Sequence, residues 1–222
     1  MGESDASLKE IEYAFDTLKC DGIVIMSNTG DKWPGDPLFA PVFEELNRRK
    51  SAVFIHPSTP NCCLKLVPGV PDSVIEYDLD TTRAVTSLLF SGTLARYQDI
   101  RWIINHSGAA VPVLAGRIKD RVPAGALSIN GRGTGDGKSD KNPLGVYYEL
   151  KKLYYECAHA TYPMPMAALR AFAPPSQYLF GTDFPVQLYE TTVEEFPGLK
   201  LPADVQHALD RGNAERLWPR FK

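Results

Sequence analysis

The stretch Tyr178-Leu-Phe-Gly-Thr-Asp-Phe-Pro185 places an acid just past a short apolar run. Tyr178 to Phe180 reads as a buried strand that Gly181 and Pro185 stop, so Asp183 is held where a strand has just ended. The arrangement recurs twice upstream. Ala52-Val-Phe-Ile-His-Pro57 ends in His56, and Arg101-Trp-Ile-Ile-Asn-His-Ser107 reaches His106. In a parallel α/β protein all strand ends lie on one face, so these three residues, far apart in sequence, converge on one rim. That predicts an enzyme, and a metal-dependent one.

Around these ends, short β-rich runs alternate with helical patterns, the signature of βα units and a parallel sheet. The predicted strands run from Asp21 to Asn28, Ala52 to His56, Arg101 to His106, Tyr154 to Cys157 and Tyr178 to Phe180. Helices are predicted over Ser7 to Lys19, Pro37 to Lys50, Glu76 to Tyr97, Ala109 to Arg121, Met164 to Phe172 and Ala203 to Arg211, with a final turn through Trp218. Asp36 suits the cap of the second helix and Pro37 its first position. Residues 57 to 75 read as a long Pro-rich loop. Residues 130 to 142, dense in Gly, Asp, Ser and Lys, read as a flexible loop insertion. Within it Gly133-Thr-Gly-Asp-Gly-Lys-Ser139 is no phosphate loop, because the first glycine of that motif falls at Arg132 and no strand feeds it. A closed parallel barrel has eight strands. The pattern offers five, so the fold class read from it is α/β with a parallel sheet, in one domain over residues 1–222.

Composition excludes other classes. The chain of 222 residues is 44% hydrophobic and 23% charged, which suits one globular core. A net charge of -3, with no basic cluster on a helix face, argues against a nucleic-acid surface. No apolar run approaches membrane-spanning length. The start, Met-Gly-Glu-Ser-Asp, is polar and acidic, so no secretory signal is visible. Cys20, Cys62, Cys63 and Cys157 form no CxxC pair and read as free thiols in a reducing compartment. The expected location is the cytoplasm.

Imidazole and carboxylate together suit zinc or a similar divalent ion, acting as Lewis acid and charge clamp. A catalytic zinc site uses three protein ligands and an open position, and His56 with Asp183 supplies two. His159, one step past the fourth strand, is a candidate to line the same mouth or a plain loop histidine. Asn28 suits either a substrate contact or a turn. His207, on the tail helix, suits a solvated or packing role.

Taken together these segments resemble the amidohydrolase-related metal-dependent decarboxylases. Arg96-Tyr-Gln-Asp-Ile-Arg-Trp-Ile-Ile-Asn-His-Ser-Gly108 is similar to that family's strand-and-histidine segment. Phe54-Ile-His-Pro57, Leu179-Phe-Gly-Thr-Asp-Phe-Pro185 and Gly212-Asn-Ala-Glu-Arg-Leu-Trp218 follow in the family's order. Gly30-Asp-Lys-Trp33 and Asp36-Pro-Leu-Phe39 look closest to the fungal 6-methylsalicylate branch. The resemblance implies that His56 and Asp183 are metal ligands and that His106 is a catalytic histidine. It further implies that Asp183 handles the proton while a small aromatic acid loses carbon dioxide. The implied metal is zinc, with manganese the alternative.

The same resemblance implies a first strand carrying a His-x-His or Glu-x-His ligand pair, and the chain contains no such motif. The expectation is an N-terminally truncated member, a partial (β/α)8 TIM barrel of about five consecutive βα units with the first three missing. Its open sheet edge would favour association, including a homo-oligomer. Two other readings compete with decarboxylation: a non-catalytic paralogue acting through association, and a metal-dependent hydrolase that activates water.

Overall fold

The computed structural model describes residues 4–122 and 136–221. Five strands pair in the order of the chain: β1 Gly22–Met26, β2 Ala52–His56, β3 Arg101–Ile104, β4 Tyr154–Glu156 and β5 Tyr178–Leu179. Every neighbouring pair is parallel. Parallel strands need a crossover that returns the chain to the same end, and helices supply it here. Consecutive order with helical crossovers is the wall of a (β/α) barrel, as the alternating pattern predicts.

The ladders stop at Met26, Ile104, Glu156 and Leu179, short of the predicted ends at Asn28, His106, Cys157 and Phe180. Beyond them the backbone turns toward the rim. His106 adopts a left-handed φ of 48°, and the Phe180 amide donates to the Leu209 carbonyl instead of continuing the strand.

Alternation along the strands divides the sheet into two faces. Ile25, Val53, Ile55, Trp102, Ile104, Tyr155 and Tyr178 belong to one core cluster with the helices. Those helices are α1 (Ser4–Glu12), α2 (Ala40–Arg48), α3 (Asp72–Ser91), α4 (Thr93–Arg96), α5 (Val111–Lys119), α6 (Val146–Lys151) and α7 (Pro163–Phe172). Phe43 of α2 meets Trp102 edge-on, ring centroids 5.2 Å apart. Ala52, Ile103 and Leu179 form a second cluster on the inner face with Leu217. Leu217 lies on the tail helix α10 (Asn213–Leu217), which follows α8 (Tyr189–Glu195) and α9 (Ala203–His207). The Arg101 guanidinium donates to the Leu217 carbonyl at 2.8 Å, fixing the tail to β3. β1 lies at one edge, and its Val24 and Met26 are exposed, at 64% and 42%.

The helices differ from the sequence reading in several places: the first starts at Ser4 and passes into a π-helix at Tyr13, and the tail helix from Ala203 passes into one at Ala208. Asp36 caps as expected, accepting from the Leu38 amide at 2.9 Å, but Pro37–Phe39 form a 3-10 turn and the α-helix begins at Ala40. The predicted helix from Glu76 to Tyr97 starts earlier, at Asp72, and is broken by Gly92, whose φ of +81° ends α3 and lets α4 change direction. The loop after β2 is correspondingly shorter. α6 and α8 are too short and irregular in pattern to have been read from periodicity. Of the segment expected to be a flexible insertion, residues 130–135 lie outside the described residues. In the rest, Asn142 is fully buried and donates to the Leu89 carbonyl at 3.1 Å. Among the described residues no helix is long and apolar enough to cross a membrane.

Candidate active site

Sheet register explains why distant residues meet. Met26 pairs with His56, Ile55 with Ile104, Ile104 with Tyr155, and Glu156 with Leu179. His56, Asn105 and Glu156 therefore stand at one level, with His106 and Asp183 just above. His106, His159 and Asp183 each adopt left-handed backbone, with φ of 48°, 53° and 58°. Non-glycine residues seldom sit there, and each such position costs on the order of 1–3 kcal/mol unless its surroundings impose it. Three of them on one rim mark a site whose side-chain directions are fixed by the fold.

Asp183 stands at the centre of three imidazoles. Its Oδ1 is 3.4 Å from His56 Nε2, and its Oδ2 is 3.0 Å from His159 Nε2 and 3.9 Å from His106 Nε2. The rings of His106 and His159 meet edge-to-face at 4.9 Å. The structure thus brings His56, His106 and Asp183 together, as strand-end placement predicts, and adds His159. It does not bring in Asn28, whose Nδ2 is committed to Asp80 at 2.8 Å and Ser58 Oγ at 2.9 Å. Asn28 fills the turn role. His207 is exposed on α9.

Hydrogen bonding on the far side of each ring decides what the near side can do. His56 Nδ1 lies 3.1 Å from the Pro57 carbonyl, which can only accept, so Nδ1 carries the proton. His106 Nδ1 lies 3.3 Å from the Asp78 carboxylate, with the same consequence. In its neutral form each ring therefore turns an Nε2 lone pair toward the carboxylate of Asp183. Lone pairs facing one another across 3.4 Å repel, and a cation between them reverses the sign. A carbonyl or carboxylate accepting from the outer imidazole nitrogen is also how metal-binding histidines are held in orientation. Two donors about 2.1 Å from one ion stand about 3.0 Å apart at octahedral angles and about 3.4 Å apart at tetrahedral ones. His56 and His159 approach different oxygens of Asp183, and donor atoms of His106, His159 and Asp183 all lie within 4.8 Å of one another, so the residue types and their proximity fit a divalent metal.

Beneath this rim lies Glu156, which strand-end reasoning overlooks. Its Oε1 accepts from the Ala158 amide at 2.6 Å and its Oε2 from the His106 amide at 3.4 Å. One carboxyl thereby ties the turns that present His106 and His159. Gly181 makes the room, since a Cβ there would lie 1.7 Å from Glu156 Oε1. The signal in the sequence was an acid inside the apolar strand Tyr-Tyr-Glu-Cys. Burial pushes the Glu156 carboxyl up to about 7, against the smaller opposing pull of the Ala158 amide and His106.

A carboxyl raised in the folded state holds its proton there more firmly than in the unfolded chain. Its contribution is complete below the ordinary value of 4.5 and is lost as pH rises toward 7. Over that interval the metal-free chain should lose about 3 kcal/mol from this group. Urea unfolding across pH 4.5 to 8 should show the loss in the native chain and a flatter profile in Glu156→Gln. Parallel profiles would show that Glu156 titrates normally.

The site opens into a cleft of about 430 Å³, with Phe54, Phe184 and Val186 as apolar walls beside His56, His106 and Asp183. A larger hollow of about 530 Å³, between Phe180, Val193 and Phe196, has Asp210 as its one carboxyl and no imidazole. Chemistry, not size, assigns the site to the smaller cleft.

A model of the amidohydrolase family matches residues 1–220. The chain belongs to the amidohydrolase family. The likeness to its decarboxylase branch read from the sequence holds. A 6-methylsalicylic acid decarboxylase from Penicillium expansum is 30% identical over 99% of this chain, and one from Aspergillus aculeatus is 32% identical over 97%. The chain spans 66% of the length of each of these relatives. Among solved structures, a 5-carboxyvanillate decarboxylase from Novosphingobium aromaticivorans, crystallised with manganese and a nitrobenzoic acid, superposes with a TM-score of 0.84. That match covers 98% of this chain and 62% of the other at 18% identity, a likeness of fold.

Proposed function

We propose that this amidohydrolase-family chain acts as a metal-dependent decarboxylase of a small 2-hydroxybenzoic acid of the 6-methylsalicylate kind. The observation that carries the reading is Asp183, faced by the Nε2 lone pairs of His56 and His106. The names of the relatives at 30% and 32% identity supply the substrate class. His56 and Asp183 would hold the cation, which when bound supplies a Lewis acid and a charge clamp for a substrate carboxylate. Manganese in the crystallised 5-carboxyvanillate decarboxylase favours that ion, and the imidazole-carboxylate donor set also accepts zinc.

The protein's own groups do the rest. Phe54, Phe184 and Val186 take the aromatic ring and displace water from it. The bond between the ring carbon and the carboxyl carbon breaks, its electron pair stays on the ring carbon, and carbon dioxide leaves. One proton must reach that carbon. In this reading Asp183 handles it, and His106, its Nδ1 proton held by Asp78, orients the substrate from Nε2. Four free cysteines fit a reducing cytoplasm. The exposed β1 edge is where association, including homo-oligomer formation, would occur.

The test is product analysis with the manganese-loaded full chain on 6-methylsalicylate, salicylate and benzoate. The expected result is loss of the carboxyl from the two hydroxy acids and none from benzoate. Turnover of esters or lactones without carbon dioxide release would instead assign water-activating hydrolysis.

A further inference from the structure

We infer that His159 is itself a ligand of the divalent cation held by Asp183, a donor drawn from outside the segments that carry the family resemblance. The inference rests on the metal-dependent reading above and names a residue that reading does not use. Donor atoms of His106, His159 and Asp183 all lie within 4.8 Å of one another, while His56 faces the opposite oxygen of Asp183. Within that group His159 approaches Asp183 most closely, its Nε2 3.0 Å from Oδ2 in hydrogen-bond contact.

The imidazole has to present a lone pair at Nε2, with its proton on Nδ1. His56 and His106 have that tautomer imposed by Pro57 and Asp78. The His159 side chain is 39% exposed, so water can take its Nδ1 proton and the ring is free to choose. Without metal, Nε2–H donates to Asp183. With metal, the proton moves to Nδ1 and the same nitrogen ligates.

Backbone geometry supports the assignment. His159 is held at φ 53°, a conformation a β-carbon disfavours, directly after the Ala158 amide that Glu156 anchors.

The test compares manganese binding by the full-length native chain, His159→Gln and His56→Gln, using electron paramagnetic resonance titration and pulsed detection of imidazole nitrogens. Glutamine keeps an N–H near the position of Nε2, so it can still bond to Asp183, but its amide offers no nitrogen lone pair. His159→Gln should weaken manganese binding about tenfold or more and remove one coupled imidazole nitrogen. His207→Gln, on α9, should change neither. Unfolding in chelator should be unaltered in His159→Gln, which separates lost ligation from misfolding. If His56→Gln weakens binding while His159→Gln retains native affinity and nitrogen count, the inference is overturned and the metal-dependent reading stands. If the native chain binds no manganese, both fall. If it binds through His159 yet releases no carbon dioxide, the ligand assignment stands and the decarboxylase reading falls.

Discussion

Asp183→Asn is expected to abolish decarboxylation and to lower manganese affinity more than any other single change on the rim. Asp183 is the one group that three imidazoles face, and its two oxygens divide them between His56 on one side and His106 and His159 on the other. Removing its charge leaves two Nε2 lone pairs with nothing negative to complete a cation site. Asparagine also takes away the proton handler proposed above, and loss of general acid–base function alone lowers rate about 10²–10⁴-fold. Stability should change little, by about 1 kcal/mol or less. Asparagine tolerates the left-handed φ of 58° at this position, and the side chain keeps its shape. Activity assays with chelator-controlled manganese, paired with urea unfolding, check both halves. Native-level turnover in this variant would remove Asp183 from the chemistry.

Asp80→Ala should have the opposite profile, a large loss of stability from a residue that touches no substrate. Asp80 on α3 is fully buried. Its Oδ2 accepts from Ser27 Oγ at 2.5 Å and Asn28 Nδ2 at 2.8 Å, and its Oδ1 from Trp33 Nε1 at 2.8 Å. Arg83 balances its charge from 3.6 Å. The carboxylate therefore fastens the end of β1 and the loop after it to α3. Alanine leaves those donors without their acceptor in the protein interior, and breaking a buried charged network from one side costs about 3–5 kcal/mol. Urea unfolding should show that loss as a lower midpoint with unchanged slope. A difference under about 1 kcal/mol would mean that water replaces the carboxylate there.

These two residues also mark what the sequence discloses. Asp183, His56 and His106 were legible because each follows an apolar run interrupted by Gly or Pro, and parallel topology brings such ends to one face. Strand order followed from the same alternation. Asp80 was hidden in the longest helical pattern, where an acid among Thr and Leu looks like a solvated face. Its partners Ser27, Asn28 and Trp33 lie 47 to 53 residues away. Glu156 was hidden for a related reason, since its bonds go to backbone amides that no periodicity announces. His159 was visible only as a residue near a strand end, because its aim is set by a left-handed backbone that composition does not reveal. The break at Gly92 and the anchoring of Asn142 on Leu89 are likewise tertiary, fixed by what packs alongside.

The most direct measurement is made in heavy water with 6-methylsalicylate labelled with carbon-13 in its carboxyl group and the manganese-loaded full-length chain. Labelled carbon dioxide should appear in step with a phenol carrying one deuterium at the vacated ring carbon. Neither product should form with Asp183→Asn. Labelled carbon dioxide absent from the native reaction, or equal in the native and Asp183→Asn reactions, would contradict decarboxylation at this rim.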